Sequence, residues 1–210
     1  MKNTCPLCKG IAGIFYEKKN QLFYLCVNCK GIFLQKNLLP DRKKEIERYL
    51  SHNNDIEDER YQTFVSPIVS SVLRDFTATC KGLDFGAGTG PVITKLLQDN
   101  KFQIAQYDPF FHNYPAILAK KYNYIICCEV IEHFHDPKKE FSLLKELLLK
   151  NGKIYCMTGI YNKSINFGNW SYKNDITHVF IYQKETFLWI KDKFGFTNVT
   201  IDGRLITFYN

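Results

Sequence analysis

The sequence predicts an α/β fold: a doubly wound, mostly parallel sheet ending in an antiparallel hairpin, with a small cysteine-built module at its start. Three observations carry this. From Lys81 onward, short apolar runs alternate with helical patterns. The first of these runs leads into Leu83-Asp84-Phe85-Gly86-Ala87-Gly88-Thr89-Gly90, where glycines recur at every second position. Cys5, Cys8, Cys26 and Cys29 form two C-x-x-C turns separated by seventeen residues.

Residues 1–34 read as a zinc ribbon. Each C-x-x-C turn offers two thiolates to one tetrahedral ion. Residues 14–16 and 22–25 read as strands around the turn Lys18-Lys19-Asn20-Gln21. A module of this size cannot build a core and folds on its metal. The strand aromatics Phe15, Tyr16, Phe23 and Tyr24 either fill the module's own small core or stack nucleic-acid bases. Residues 35–80 read as a charged helical connector: one helix opens at Pro40-Asp41, residues 51–55 break it, and a second, interrupted at Pro67, runs from Asp55 to Phe76. His52 falls in the break and reads as an exposed loop residue.

The remaining chain, 81–210, supplies the sheet. Residues 82–85 form its first strand and 90–99 the following helix, with Pro91 suited to the first turn. Strands follow at 102–107, 122–128 and 152–157, with helices at 137–150 and 183–194. Residues 196–201 and 205–209 pair around Asp202-Gly203, a strong hairpin turn. Only about a dozen residues separate Asp108 from the next strand. That leaves no room for a helix, an edge strand and a second helix.

The glycine spacing narrows the ligand. A dinucleotide fingerprint would need glycine where Pro91 stands, and a phosphate-binding P-loop would need lysine after Gly90. What remains, D-x-G-x-G-x-G, resembles the first motif of the class I S-adenosylmethionine (SAM) methyltransferases. Their glycines let the backbone pass under the cofactor. Asp108 ends the second strand, about twenty residues on, where a carboxylate accepts ribose hydroxyls. The resemblance implies cofactor contacts at Asp84, Gly86, Ala87, Gly88, Gly90, Asp108, Pro109 and Cys128. It also implies that the third strand of the family's sheet is lost or reduced here, together with the adenine contact at its end.

A second cluster, Cys128-Glu129-Val130-Ile131-Glu132-His133, follows a buried strand at the edge where open α/β sheets bind ligands. A helical turn beginning at Glu129 would set Glu129, Glu132 and His133 on one face. Downstream, His178 in Asp175-Ile176-Thr177-His178 precedes the helix after the fifth strand and reaches the same edge. Glu129, Glu132, His133 and His178 are the candidate catalytic residues, as a general-base group or as a site for magnesium or manganese. Glu-Val-Ile-Glu-His with a distant Asp-x-x-His is similar to the small-RNA 2′-O-methyltransferases, and the first segment to the ubiquinone-biosynthesis O-methyltransferases. With its ribbon, the whole chain resembles a bacterial family of ribbon-bearing class I methyltransferases. Tyr161, Trp170 and Tyr172 lie in a long loop suited to shaping an acceptor pocket.

The formal charge of +7 is compatible with RNA but does not select it. Cys80, Cys127, Cys128 and Cys156 read as buried free thiols. With no signal-peptide pattern and no run long enough to span a membrane, a cytoplasmic location is expected. The expected activity is SAM-dependent methyl transfer to an oxygen of a small-molecule acceptor; the alternatives are RNA methylation guided by the ribbon and non-catalytic SAM sensing.

Overall fold

The structure is a computed structural model describing residues 3–19, 21–52 and 54–210. Asn20 of the predicted ribbon turn and Asn53 of the predicted helix break lie outside the described residues, as do Met1 and Lys2. The cysteine module holds β1 (Asn3–Thr4), β2 (Ile11–Lys18), β3 (Gln21–Cys26) and β4 (Ile32–Leu34). The connector holds α1 (Arg42–Leu50) and α2 (Glu59–Asp75). Asp41 caps α1 by accepting from the Lys44 N–H, and Asp58 caps α2 from Arg60. α2 runs unbroken through Pro67, against the sequence expectation. The Thr63 carbonyl, which the proline cannot serve, accepts from the Ser66 hydroxyl at 2.8 Å.

The sheet region contains β5 (Lys81–Phe85), α3 (Val92–Asp99), β6 (Gln103–Tyr107), β7 (Tyr122–Cys128), α4 (Pro137–Leu147), β8 (Leu148–Met157), β9 (Phe180–Ile181), α5 (Lys184–Phe194), β10 (Asn198–Asp202) and β11 (Leu205–Tyr209). The six-stranded order is β10-β11-β8-β7-β5-β6. The four strands from β6 to β8 are parallel, and β11 and β10 add antiparallel. Alternation along β7 explains the layering. Tyr124 and Ile126 meet Val65, Ile68 and Val72 of α2 and Leu97 of α3. Ile125 and Cys127 meet Phe141 and Leu144 of α4 and Phe187 of α5.

β6 is the sheet edge. Beyond it only a short 3-10 turn, Pro115–Ala119, leads to β7. The missing third strand is therefore a property of the fold, set by the short connection. Helix 137–150 ends three residues earlier than expected, because Leu148 already pairs with Tyr122. Cys127 and Cys156 are buried as read from sequence, whereas Cys80 and Cys128 are half-buried. Among the described residues no helix is long and apolar enough to cross a membrane.

The cysteine module does not stand apart. Its sheet has the order β1-β2-β3-β4-β9, so a strand from residue 180 onward completes it. Phe33 stacks on Phe180, and Phe15, Tyr16 and Phe23 pack edge-on against Phe167. The module's aromatics therefore share a core with the loop after β8. Tyr161 and Trp170, expected at the acceptor pocket, lie in this same packing.

Candidate active site

One cavity of about 920 Å³ lies at the C-terminal edge of the parallel strands. Its first end is the glycine loop. Gly86 (φ +86°) and Gly88 (φ +61°) take left-handed backbone. A Cβ on Gly86 would meet Val130 at 2.5 Å, while one on Gly88 would stand in open space. Ala87 and Thr89 line the same wall. Gly90 serves packing instead: a Cβ there would fall 1.9 Å from the Asn54 carbonyl, and the residue does not face the cavity.

Asp108 follows β6 and is 6% exposed. Its Oδ2 accepts from the Gly88 N–H at 3.0 Å, and its Oδ1 accepts from Phe110 and Phe111 at 2.8 and 3.1 Å. These bonds join the glycine loop to the end of β6; Asp108 lines the cavity, and its Oδ2, with a single bond, has a lone pair to spare. Pro109 and Cys128 also line the cavity. Asp84 does not. It is buried under the loop and accepts from the Thr94 hydroxyl at 2.8 Å, with burial raising its carboxyl to about 6. It orients the start of α3.

At the other end the acidic-histidine segment departs from the expected helical face. Glu129 takes a left-handed conformation (φ +51°), and the following turn, Ile131–His133, is 3-10. Glu129 is thereby turned onto Arg204, whose Nη2 donates to both carboxylate oxygens at 2.6 and 2.7 Å. Burial, then the nearby Glu132, raises the Glu129 carboxyl to about 8 while Arg204 pulls it back. The other three candidates converge: one ligand atom each from Glu132, His133 and His178 lie within 4.8 Å of one another.

Each of the three is held from behind. His133 Nδ1 meets the Thr177 carbonyl at 2.9 Å, and His178 Nδ1 meets the Tyr172 carbonyl at 2.7 Å. A carbonyl only accepts, so both Nδ1 atoms carry the proton and both Nε2 atoms keep a lone pair. Burial lowers the His133 imidazole to about 4 and lowers His178 as well. Both are neutral near pH 7. Glu132 has no exposed surface and accepts from the Thr158 hydroxyl at 3.0 Å and from the Tyr172 hydroxyl.

The roof is α1. Arg48 donates from Nε and Nη2 to Asp175 at 2.9 and 2.7 Å, Tyr49 meets His133 edge-on, and His135 pairs with Glu45 at 3.1 Å. His52 faces the cavity 4.0 Å from Asp175, so it is part of the site and not an outlying loop residue. A shallower depression of about 490 Å³ opens between Arg48 and residues 171–176, beside His178. Sequence reasoning missed Arg48, Tyr49, Thr158 and Arg204. Only Arg204 carried a usable signal: it sits at the tip of the predicted antiparallel hairpin, beside the C-terminal end of the 152–157 strand.

The four cysteines gather at one point, with Cys5 Sγ 3.6 Å from Cys29 Sγ and Cys8 Sγ 3.3 Å from Cys26 Sγ. A tetrahedral zinc site has edges of about 3.8 Å for bonds near 2.3 Å. Cys5, Cys26 and Cys29 are fully buried, where several thiols this close need a cation to ionise together. The donor set fits zinc.

A sheet of this order, with a glycine loop and a carboxylate at the ends of its first two strands, defines the class I methyltransferase fold. A family model for a methyltransferase domain matches residues 39–201, and the chain belongs to that family. Solved structures agree on the fold. A SAM-dependent methyltransferase from Archaeoglobus fulgidus superposes with a TM-score of 0.55 at 16% identity, covering 81% of this chain and all of the other. A candidate O-methyltransferase from Nostoc punctiforme PCC 73102 gives 0.52 at 13%, covering 71% of this chain and 56% of the other. An O-methyltransferase family protein from Burkholderia thailandensis gives 0.51 at 9%, covering 80% and 67%. The chain thus spans little more than half the length of the Nostoc protein. No curated protein matches the sequence.

Proposed function

We propose that the protein transfers the methyl group of SAM to an oxygen of a small-molecule acceptor. The observation that carries this reading is the single cavity joining Gly86, Gly88 and Asp108 at one end to His133 and His178 at the other, with the buried Glu132 carboxylate within 4.8 Å of both imidazoles. Bound at the glycine loop, SAM would supply an electrophilic methyl on a sulfonium sulfur. Asp108 would accept the ribose hydroxyls. Tyr107, Phe110, Leu118 and Leu143 offer an apolar wall for the adenine, where the 3-10 turn replaces the missing strand.

The acceptor oxygen would form its bond to the methyl carbon as the carbon–sulfur bond breaks and its electrons pass to sulfur. Two roles suit the histidines. Each Nε2 can take the hydroxyl proton, but an imidazole lowered to about 4 is a weak base near pH 7. Neutral imidazoles beside a carboxylate are better disposed as metal ligands. With two nitrogen donors the set favours manganese over magnesium, which prefers oxygen. A divalent ion held there would lower the acceptor hydroxyl's pKa.

The same reading assigns Cys5, Cys8, Cys26 and Cys29 to a structural zinc. It favours a small molecule over RNA, because Phe15, Tyr16 and Phe23 are spent on packing against Phe167. The test is transfer from radiolabelled SAM into a fractionated extract, with and without added manganese. Manganese-dependent label in the small-molecule fraction is expected. Label in RNA would overturn the acceptor class. No label in any fraction, despite tight S-adenosylhomocysteine binding, would leave a SAM sensor.

A further inference from the structure

We propose that the cysteine ribbon is a positioning device for the acceptor half of the active site: zinc on the four cysteines holds β9 in place, and β9 holds Glu132, His133 and His178. This rests on the methyltransferase reading above.

The path from metal to site is a few backbone bonds long. The second C-x-x-C turn closes with the Lys30 N–H on the Cys26 carbonyl and the Cys26 N–H on the Gly31 carbonyl. Gln183 Nε2 donates to the Lys30 carbonyl at 2.6 Å. The Phe180 ring lies against Gly31 so closely that a Cβ there would be 2.3 Å from it. One residue on, Ile32 and Phe33 pair with Ile181 and Phe180. The Leu34 N–H donates to the Val179 carbonyl, and the Val179 N–H donates to the Glu132 carbonyl, both at 2.9 Å. His178 is the residue before Val179, and the Thr177 carbonyl fixes the His133 ring.

The ribbon's hairpin braces the same segment from its other end. Lys173 is buried and follows Tyr172. Its ammonium is held by Gln21 Oε1 at 3.1 Å and Asn174 Oδ1 at 2.8 Å, over the Tyr16 ring. A buried cation held by neutral oxygens depends on those partners staying in place. The cofactor half is braced differently, by the bonds of Asp108 to Gly88, Phe110 and Phe111. A two-residue strand such as β9 has no stability of its own. It exists because β4 lies beside it, and the ribbon is too small to order β4 without its metal.

The test uses the full chain, zinc-loaded, with Trp189→Phe, which leaves Trp170 as the remaining one of two tryptophans. Three quantities are read: zinc content, S-adenosylhomocysteine affinity by calorimetry, and the nitrogen-15 imidazole spectrum. In that spectrum His133 and His178 should appear as fixed Nδ1–H tautomers. Gly31→Ala drives a methyl into the Phe180 ring without touching a cysteine, and Gln183→Ala removes the tie to Lys30. Gly31→Ala is expected to keep its zinc and to shift S-adenosylhomocysteine affinity by less than about threefold, as independent sites do. Its His133 and His178 signals should collapse to averaged tautomers and its Trp170 emission should move to the red. Gln183→Ala should move the same readouts more weakly.

Unchanged imidazole signals and emission in both variants would overturn the proposal. So would a loss of S-adenosylhomocysteine affinity in parallel with the imidazole signals, because the ribbon would then support the whole fold. A parent chain that holds no zinc overturns it as well. Failure of the parent reading looks different: a chain with zinc and fixed imidazoles that binds no S-adenosylhomocysteine.

Discussion

Asp108→Asn separates the two buried carboxylates at the cofactor end. Asp108 spends three acceptor sites on the N–H groups of Gly88, Phe110 and Phe111. Asparagine has nearly the same shape but only one accepting oxygen. If that oxygen keeps Phe110 and Phe111, the new NH₂ faces the Gly88 N–H, donor against donor. An orphaned buried N–H costs about 1–3 kcal/mol, which at about 2–4 °C per kcal/mol lowers Tm by roughly 2–12 °C for a chain of this size. On the proposed reading the same change also removes a charged acceptor for a ribose hydroxyl. At about 1.5–3 kcal/mol per charged hydrogen bond, S-adenosylhomocysteine affinity should fall about tenfold to a hundredfold. The assay is calorimetry on the folded variant, with a thermal scan beside it. The control is Asp84→Asn, which keeps an oxygen for the Thr94 hydroxyl and should change affinity by less than about threefold. The reasoning is refuted if Asp108→Asn folds and binds as the parent does while Asp84→Asn weakens binding. Asp84 would then be the carboxylate that meets the cofactor.

Other expectations follow from the same geometry. Tyr172→Phe removes a donor to the fully buried Glu132; methyl transfer should fall by about tenfold or more with S-adenosylhomocysteine affinity unchanged, and full turnover would count against an acceptor-side role. His133 is held neutral, its imidazole lowered by burial to about 4. Because the unfolded chain takes that proton near its ordinary pKa of about 6.5, His133's stabilisation is complete above about 6.5 and is lost as pH falls toward 4. His133→Asn should therefore flatten the fall in Tm between those pH values, and an unchanged slope would contradict the buried neutral ring. Against the burial that would raise it, Arg48 and Thr177 hold the Asp175 carboxyl well below the usual carboxylate range. Arg48→Ala should free the α1 roof and speed S-adenosylhomocysteine release in stopped flow; an unaltered release rate would mean that α1 does not gate the cavity.

Local spacing made the glycine-loop end of the cavity legible and left much of the opposite end hidden. Gly86 and Gly88 could be read because their left-handed backbone admits few other residues, and Asp108 because it ends a strand at a fixed interval. The absent strand beyond β6 followed from counting residues, since a chain cannot span what it lacks the length to build. Glu129 was misplaced because helical periodicity assumes right-handed backbone, and its φ of +51° breaks the periodicity at its first residue. Pro67 was misread because its cost is met by Ser66, a compensation that depends on a hydroxyl one residue away. The role of Trp170 depended on Phe167 and the ribbon meeting across about 150 residues of chain, and no local pattern encodes that.

The loss of the third strand and the presence of the cysteine module bear on opposite walls of the same cavity. At the β6 edge, the shortened connection leaves the cofactor side walled by single apolar side chains such as Phe110 and Leu118. That wall is closed by α1, through Arg42 on the Pro109 carbonyl and over the Phe110 ring. At the β8 side, the loop carrying Tyr172 and His178 passes outside the six-stranded sheet and finds its strand partner in β4 of the cysteine module. Each wall is therefore completed by a segment N-terminal to the glycine loop. A truncation beginning at Pro40 would keep α1, α2 and every residue of the parallel strands and yet lack β4, the partner of β9. Such a fragment should lose acceptor-side order first, because among the described residues β9 has β4 as its strand partner, whereas the Asp108 bonds lie wholly within residues 88–111.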